Sequence, residues 1–65
     1  MIERDIWATA KLVLERYGEQ AQAEARKRSE RLSGEGDREG QAVWEAITAA
    51  VAWLERNEAP DSAIQ

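Results

Sequence analysis

Gly34-Glu35-Gly36-Asp37-Arg38-Glu39-Gly40 is the segment whose residue types and spacing come nearest to a known chemistry. Glycines spaced like this open the phosphate-binding turn of dinucleotide folds, where backbone amides must approach a pyrophosphate closely. Here the segment follows a helical stretch rather than a strand, and Glu35, Asp37 and Glu39 would repel phosphates. A chain of 65 residues is also too short for that fold. The same acids could suggest calcium, but the EF-hand spacing and its closing bidentate Glu are missing. What remains is a turn followed by a helix cap.

Paired carboxylates can do acid–base work, and Glu15 with Glu19 is one such pair. Both fall on the polar side of their helix, with no pocket implied. Ser29, Ser33, Thr9 and Thr48 have no His to activate them, because the chain has none. With no Cys either, the usual ligands of zinc, copper or haem are missing, and disulfide chemistry is out. We therefore expect no catalytic residue, no metal, no cofactor and no small-molecule substrate.

Arg26-Lys27-Arg28 with Arg31 is the one basic cluster, and it suggests nucleic acid contact through Arg26, Lys27 and Arg31. At 100° per residue Arg26 and Arg31 diverge by about 140°. Glu19, Glu24, Glu30 and Glu35 cancel the charge, and Glu24 is placed to pair with Arg28 four residues on. The whole chain carries 13 acids against 9 bases, a net −4, which disfavours nucleic acid or an anionic membrane as partner. A regulator contacting nucleic acid is the alternative reading, and a solvated, self-paired face the simpler one.

These residues must be positioned by helices. Asp5 to Tyr17 reads as the first, with Ile2, Ile6, Trp7, Ala10, Val13, Leu14 and Tyr17 in one arc. Leu12 is the large apolar residue off that stripe, and Asp5 is an N-cap or a first-turn acid. Gly18 then stands where a left-handed C-terminal glycine belongs. A second helix spans 19–32, with a thin apolar face of Ala21, Ala25 and Leu32 helped by the stem of Arg28. The rival is one long helix over 5–32, since glycine inside a helix costs only about 1 kcal/mol. Gly34 and Gly36 end this stretch, and Asp37 caps a last helix over 37–56.

The last helix has the widest apolar arc. Trp44, Ile47, Val51 and Leu54 form a seam with Val43 beside it. A second row holds Ala42, Ala46, Ala49 and Trp53, with Ala50 between the two. Gln41, Glu45, Thr48, Ala52, Glu55 and Arg56 are left for solvent. A helix covered on one side needs only about a 100° stripe. Either this helix is central and touches both others, or Trp53, Ala42, Ala46, Ala49 and Ala50 form a docking face. The two readings overlap if Trp53 sits at the rim of the core, and Trp7 joins the face if the first helix is not fully packed.

The expected fold is all-α: a compact three-helix domain, with an antiparallel hairpin between the second and third helices and the first packed across it. It would occupy 1–57, with 58–65 a flexible tail. A domain this small buries only about 60% of its unfolded surface, and without disulfides or metals oligomerisation is the usual remedy. The charged start, Met1-Ile2-Glu3-Arg4-Asp5, leads into no long apolar run, so neither a signal peptide nor a membrane span is expected. Cytoplasmic is the expected location.

Asp5-Ile6-Trp7 with Ala10 and Leu14, Tyr17-Gly18, Gly36-Asp37, Gly40-Gln41-Ala42-Val43-Trp44 and Ile47 form a further pattern. It resembles small alphaproteobacterial proteins carrying a domain of unknown function, with a D-I-aromatic start and a G-D-x-x-G-x-x-x-W-x-x-I block. The likeness spans residues 4–56. Where those proteins carry Arg-Ala-Asp in the middle helix, this chain has Arg28-Ser29-Glu30. The resemblance implies a compact helical cytoplasmic protein with no assigned activity, and it adds no catalytic residue. The function expected is a non-enzymatic protein-interaction module, a homodimer or a small subunit of a larger assembly.

Overall fold

Tyr17 ends the first helix because Gly18 takes φ +56°, a conformation that breaks the helical ladder. The computed structural model describes residues 3–58, and all its elements are helical. Helix α1 is Glu3–Tyr17, followed by a 3-10 turn at Gly18–Gln20, then α2, Ala21–Gly34, and α3, Arg38–Glu58. One long helix over 5–32 is thus excluded. α1 starts before Asp5, which makes Asp5 a first-turn acid rather than the cap. Ile2 and residues 59–65 of the expected tail lie outside the described residues, while Glu58 belongs to α3.

The second break is built from local hydrogen bonds. Asp37 N–H donates to Leu32 C=O at 2.9 Å, and Gly36 N–H donates to Ser33 C=O at 3.0 Å. This is a Schellman closure with Gly36 as its left-handed residue, φ +83°. Gly34, expected to end α2 with it, is still helical, so α2 runs two residues past the expected Leu32. Asp37 then caps α3 as expected: its Oδ1 accepts from Gly40 N–H at 2.9 Å. α3 itself begins at Arg38 and ends at Glu58 rather than at Arg56. The glycine-rich segment is therefore a helix stop joined to a helix start, its amides from Glu35 to Asp37 all spent on α2 carbonyls.

Gly40 has a second reason to be glycine. A methyl placed on it would lie 2.5 Å from Asp37 Oδ2 and 3.1 Å from Leu32 Cδ1. The capping carboxylate and the end of α2 both use the space a side chain would fill. Gly36→Ala, by contrast, meets no neighbour and is opposed by the left-handed backbone alone. It should cost about 1–2 kcal/mol, read as a lower urea midpoint at unchanged slope.

α2 and α3 form the expected antiparallel hairpin. Gln22 Nε2 donates to Glu55 Oε1 at 2.8 Å at one end, and Leu32 lies against Gly40 at the other. Ala21, Ala25 and Ser29 recur every four residues on α2 and are buried. Small residues in that register let the two helices approach closely. The approach also half-buries Gln41, Thr48, Ala52 and Glu55, which were expected on the solvent side; Glu45 and Arg56 do face solvent. α1 lies across this hairpin. Ala10 and Val13 of α1 join Ala21 and Ala25 and, from α3, Ile47, Ala50, Val51 and Leu54 in one core. α3 is the central helix: α1 and α2 each pack more extensively on it than on each other.

Candidate functional site

α3 turns past α1 in such a way that its alanine row is only partly covered. Ala46, Ala49, Ala50 and Trp53 form a shallow groove with Ile6 and Trp7 of α1. Trp53 meets Trp7 edge-on, ring centroids 5.5 Å apart and planes at 78°. That contact is worth about 0.5–1.5 kcal/mol beyond the area it buries and favours this orientation of the indole. Even so Trp53 is 47% exposed, and it is one of two large apolar side chains so exposed among the described residues. Ala49 is exposed beside it and Ala46 is half-buried, while Ala42, about three turns earlier on α3, is exposed in a separate hollow with Ser33 and Gln41.

Of the five expected docking residues, Trp53, Ala46 and Ala49 thus share this groove with accessible surface, and Ala42 lies outside it. Ala50 forms only its floor. It is 5% exposed, because its azimuth on α3 points under α1, where it packs with Ala10 and Val13. It is a core residue. Trp7 is half-buried and lines the groove, so it belongs to the face in part.

The basic cluster is dispersed by tertiary contacts. Arg28 does not pair with Glu24. Its guanidinium stacks over Trp44, 5.0 Å from the ring centroid, and donates to Tyr17 Oη at 3.3 Å. Glu24 instead takes Lys27, at 3.4 Å, the one ion pair among the described residues. Arg26 and Arg31 are exposed; Arg26 shares a shallow hollow with Glu30 and Glu45. Two separated arginines beside carboxylates make a poor phosphate track. A labelled single-stranded DNA 20-mer, titrated at about 50 and about 200 mM salt, should show no saturable binding at either. Tight binding at the lower salt that collapses at the higher would reinstate Arg26, Lys27 and Arg31 as contacts.

Glu15 on α1 and Glu19 in the 3-10 turn after it are both exposed. A second apolar hollow went unread in the sequence. It lies on the opposite flank of α1, between Leu12 and Trp44. The off-stripe Leu12, 64% exposed, was its signal. Among the described residues no helix is long and apolar enough to cross a membrane. The chain matches no protein-family model, no curated protein and no solved structure.

Proposed function

We propose that this chain is a non-enzymatic protein-interaction module that docks through α3, either onto a second copy of itself or as a small subunit of a larger assembly. Trp53 carries the reading. A tryptophan in edge contact with Trp7, yet 47% exposed, is an apolar knob with about half its surface uncovered. Such residues dominate binding energy when a partner desolvates them. Beside it Ala46 and Ala49 leave the backbone approachable, which is a hole of matching kind, and Ala42 continues the row about three turns away.

Knob and hole on the same face favour the second copy. A two-fold contact needs one patch that complements itself, so that each Trp53 can rest on the partner's alanine row. Cytoplasmic residence, and membership of the alphaproteobacterial family that the G-D-x-x-G-x-x-x-W-x-x-I block resembles, are part of the same proposal. Both are consistent with a chain lacking cysteine.

Solution mass across a concentration series tests it. The native chain should rise from one copy to two, and Trp53→Ala should stay at one copy while remaining folded. Mass fixed at one copy at every concentration removes self-docking. An unfolded Trp53→Ala chain makes Trp53 a core residue and removes the face.

A further inference from the structure

We infer that the hollow between Leu12 and Trp44 is a second docking site, one that takes an acidic, apolar peptide segment of a partner protein. Leu12 and Trp7 are about 140° apart around α1, so this hollow is separate from the Trp53 groove. Its volume is about 590 Å³, and Val13 and Tyr17 complete its walls. Leu12 reaches over it 64% exposed. Apolar walls of this kind are favourable to cover.

The charge of the hollow says what covers it. Arg16 and Glu15 also line it, both exposed and of opposite charge. That leaves Arg28, half-buried, its plane held on Trp44 and its edge on Tyr17 Oη. A guanidinium carries five N–H donors, and one of them is spent on Tyr17. No carboxylate of the described residues forms an ion pair with it. A cation that is partly desolvated, oriented and without a counter-ion is prepared for a planar anion, and carboxylate fits its fork bidentately. An apolar side chain seated between Leu12 and Trp44 would place a neighbouring carboxylate over that fork.

A peptide suits the site better than a small acid. The hollow is open along one side, so a free small molecule would keep much of its surface in water, whereas good ligand sites bury most of it. A strand or helix turn from a partner can leave its backbone in solvent and insert only side chains.

The test uses the full chain and two fluorescein-labelled nonapeptides, one alternating Asp with Leu and one alternating Asn with Leu. The acidic peptide should bind at least about tenfold tighter, the ratio expected of one charge-assisted contact. Arg28→Met keeps the apolar stem on Trp44 and should bring the two affinities within about twofold. Leu12→Ser alters an exposed residue and so leaves folding intact; it should weaken both peptides at least about fivefold. Trp53→Ala should change neither affinity, which keeps this site distinct from the α3 face. Equal binding of both peptides to the native chain, or full binding by Leu12→Ser, overturns the proposal. Octanoate displacing the acidic peptide at equal concentration would assign the site to a free apolar acid instead.

Discussion

Ile47→Ala should leave the chain largely unfolded at 25 °C. Ile47 is 1% exposed and, with Val51, is one of the two largest fully buried side chains among the described residues. It sits where α3 meets both α1 and α2, so the cavity left behind would be lined by three helices that cannot all relax toward it. Ile-to-Ala changes in such positions cost about 2–5 kcal/mol. A single core in a domain of this size rarely supplies more than about 3–5 kcal/mol. The two ranges overlap, so one substitution removes most of the available stability. Circular dichroism at 222 nm should show most of the helical signal lost. Val51→Ala deletes one carbon fewer and should give a destabilised but folded chain. A cooperative melt of Ile47→Ala within a few degrees of the native one would mean that the core is not where these helices place it.

The seam that Ile47 belongs to was legible because helical periodicity is local arithmetic. The same holds for the breaks. Gly18, Gly36 and Asp37 announce themselves through backbone preference and capping, which depend on neighbours in sequence. The G-D-x-x-G-x-x-x-W-x-x-I block now has a physical account. Gly36 turns the chain, Asp37 caps, Gly40 makes room for the cap and Leu32, Trp44 carries Arg28, and Ile47 fills the core. Each of those jobs is structural.

What sequence did not give depended on neighbours in space. Ala50 was placed on the docking face because its azimuth lies between the two rows; only the position of α1 decides that it is covered. Arg28 was assigned to Glu24 by the four-residue rule, an interaction worth a few tenths of a kcal/mol. Stacking on Trp44 offers about 0.5–1 kcal/mol or more and buries the stem as well, so the tertiary contact wins. Ser29 is absent from the apolar face that residue type alone assigns to α2, Ala21, Ala25 and Leu32. It is buried because it continues the register of Ala21 and Ala25.

Trp53→Ala should separate association from folding, and by a wide margin. Within one copy, Trp53 loses its edge contact with Trp7, about 0.5–1.5 kcal/mol, and the burial of about half its indole, about 1–1.5 kcal/mol; part of that returns through the better helix propensity of Ala. A fall of about 5–15 °C in melting temperature follows, with the chain still folded at about 25 °C. Across the proposed two-fold contact the same indole would pass from 47% exposed to covered, and a hot-spot tryptophan is worth about 2 kcal/mol or more. The symmetry places one Trp53 from each copy in the contact, so the loss counts twice. About 4 kcal/mol corresponds to about a thousandfold in dissociation constant. Sedimentation equilibrium of the two chains at matched concentrations reads that difference directly. Trp7→Phe is the control: it should cost folding a similar amount while leaving association within about tenfold, since Trp7 is mostly beneath the face rather than on it. If instead both variants lose stability alike and neither shifts the mass, the exposed half of Trp53 is solvated surface and α3 docks nothing.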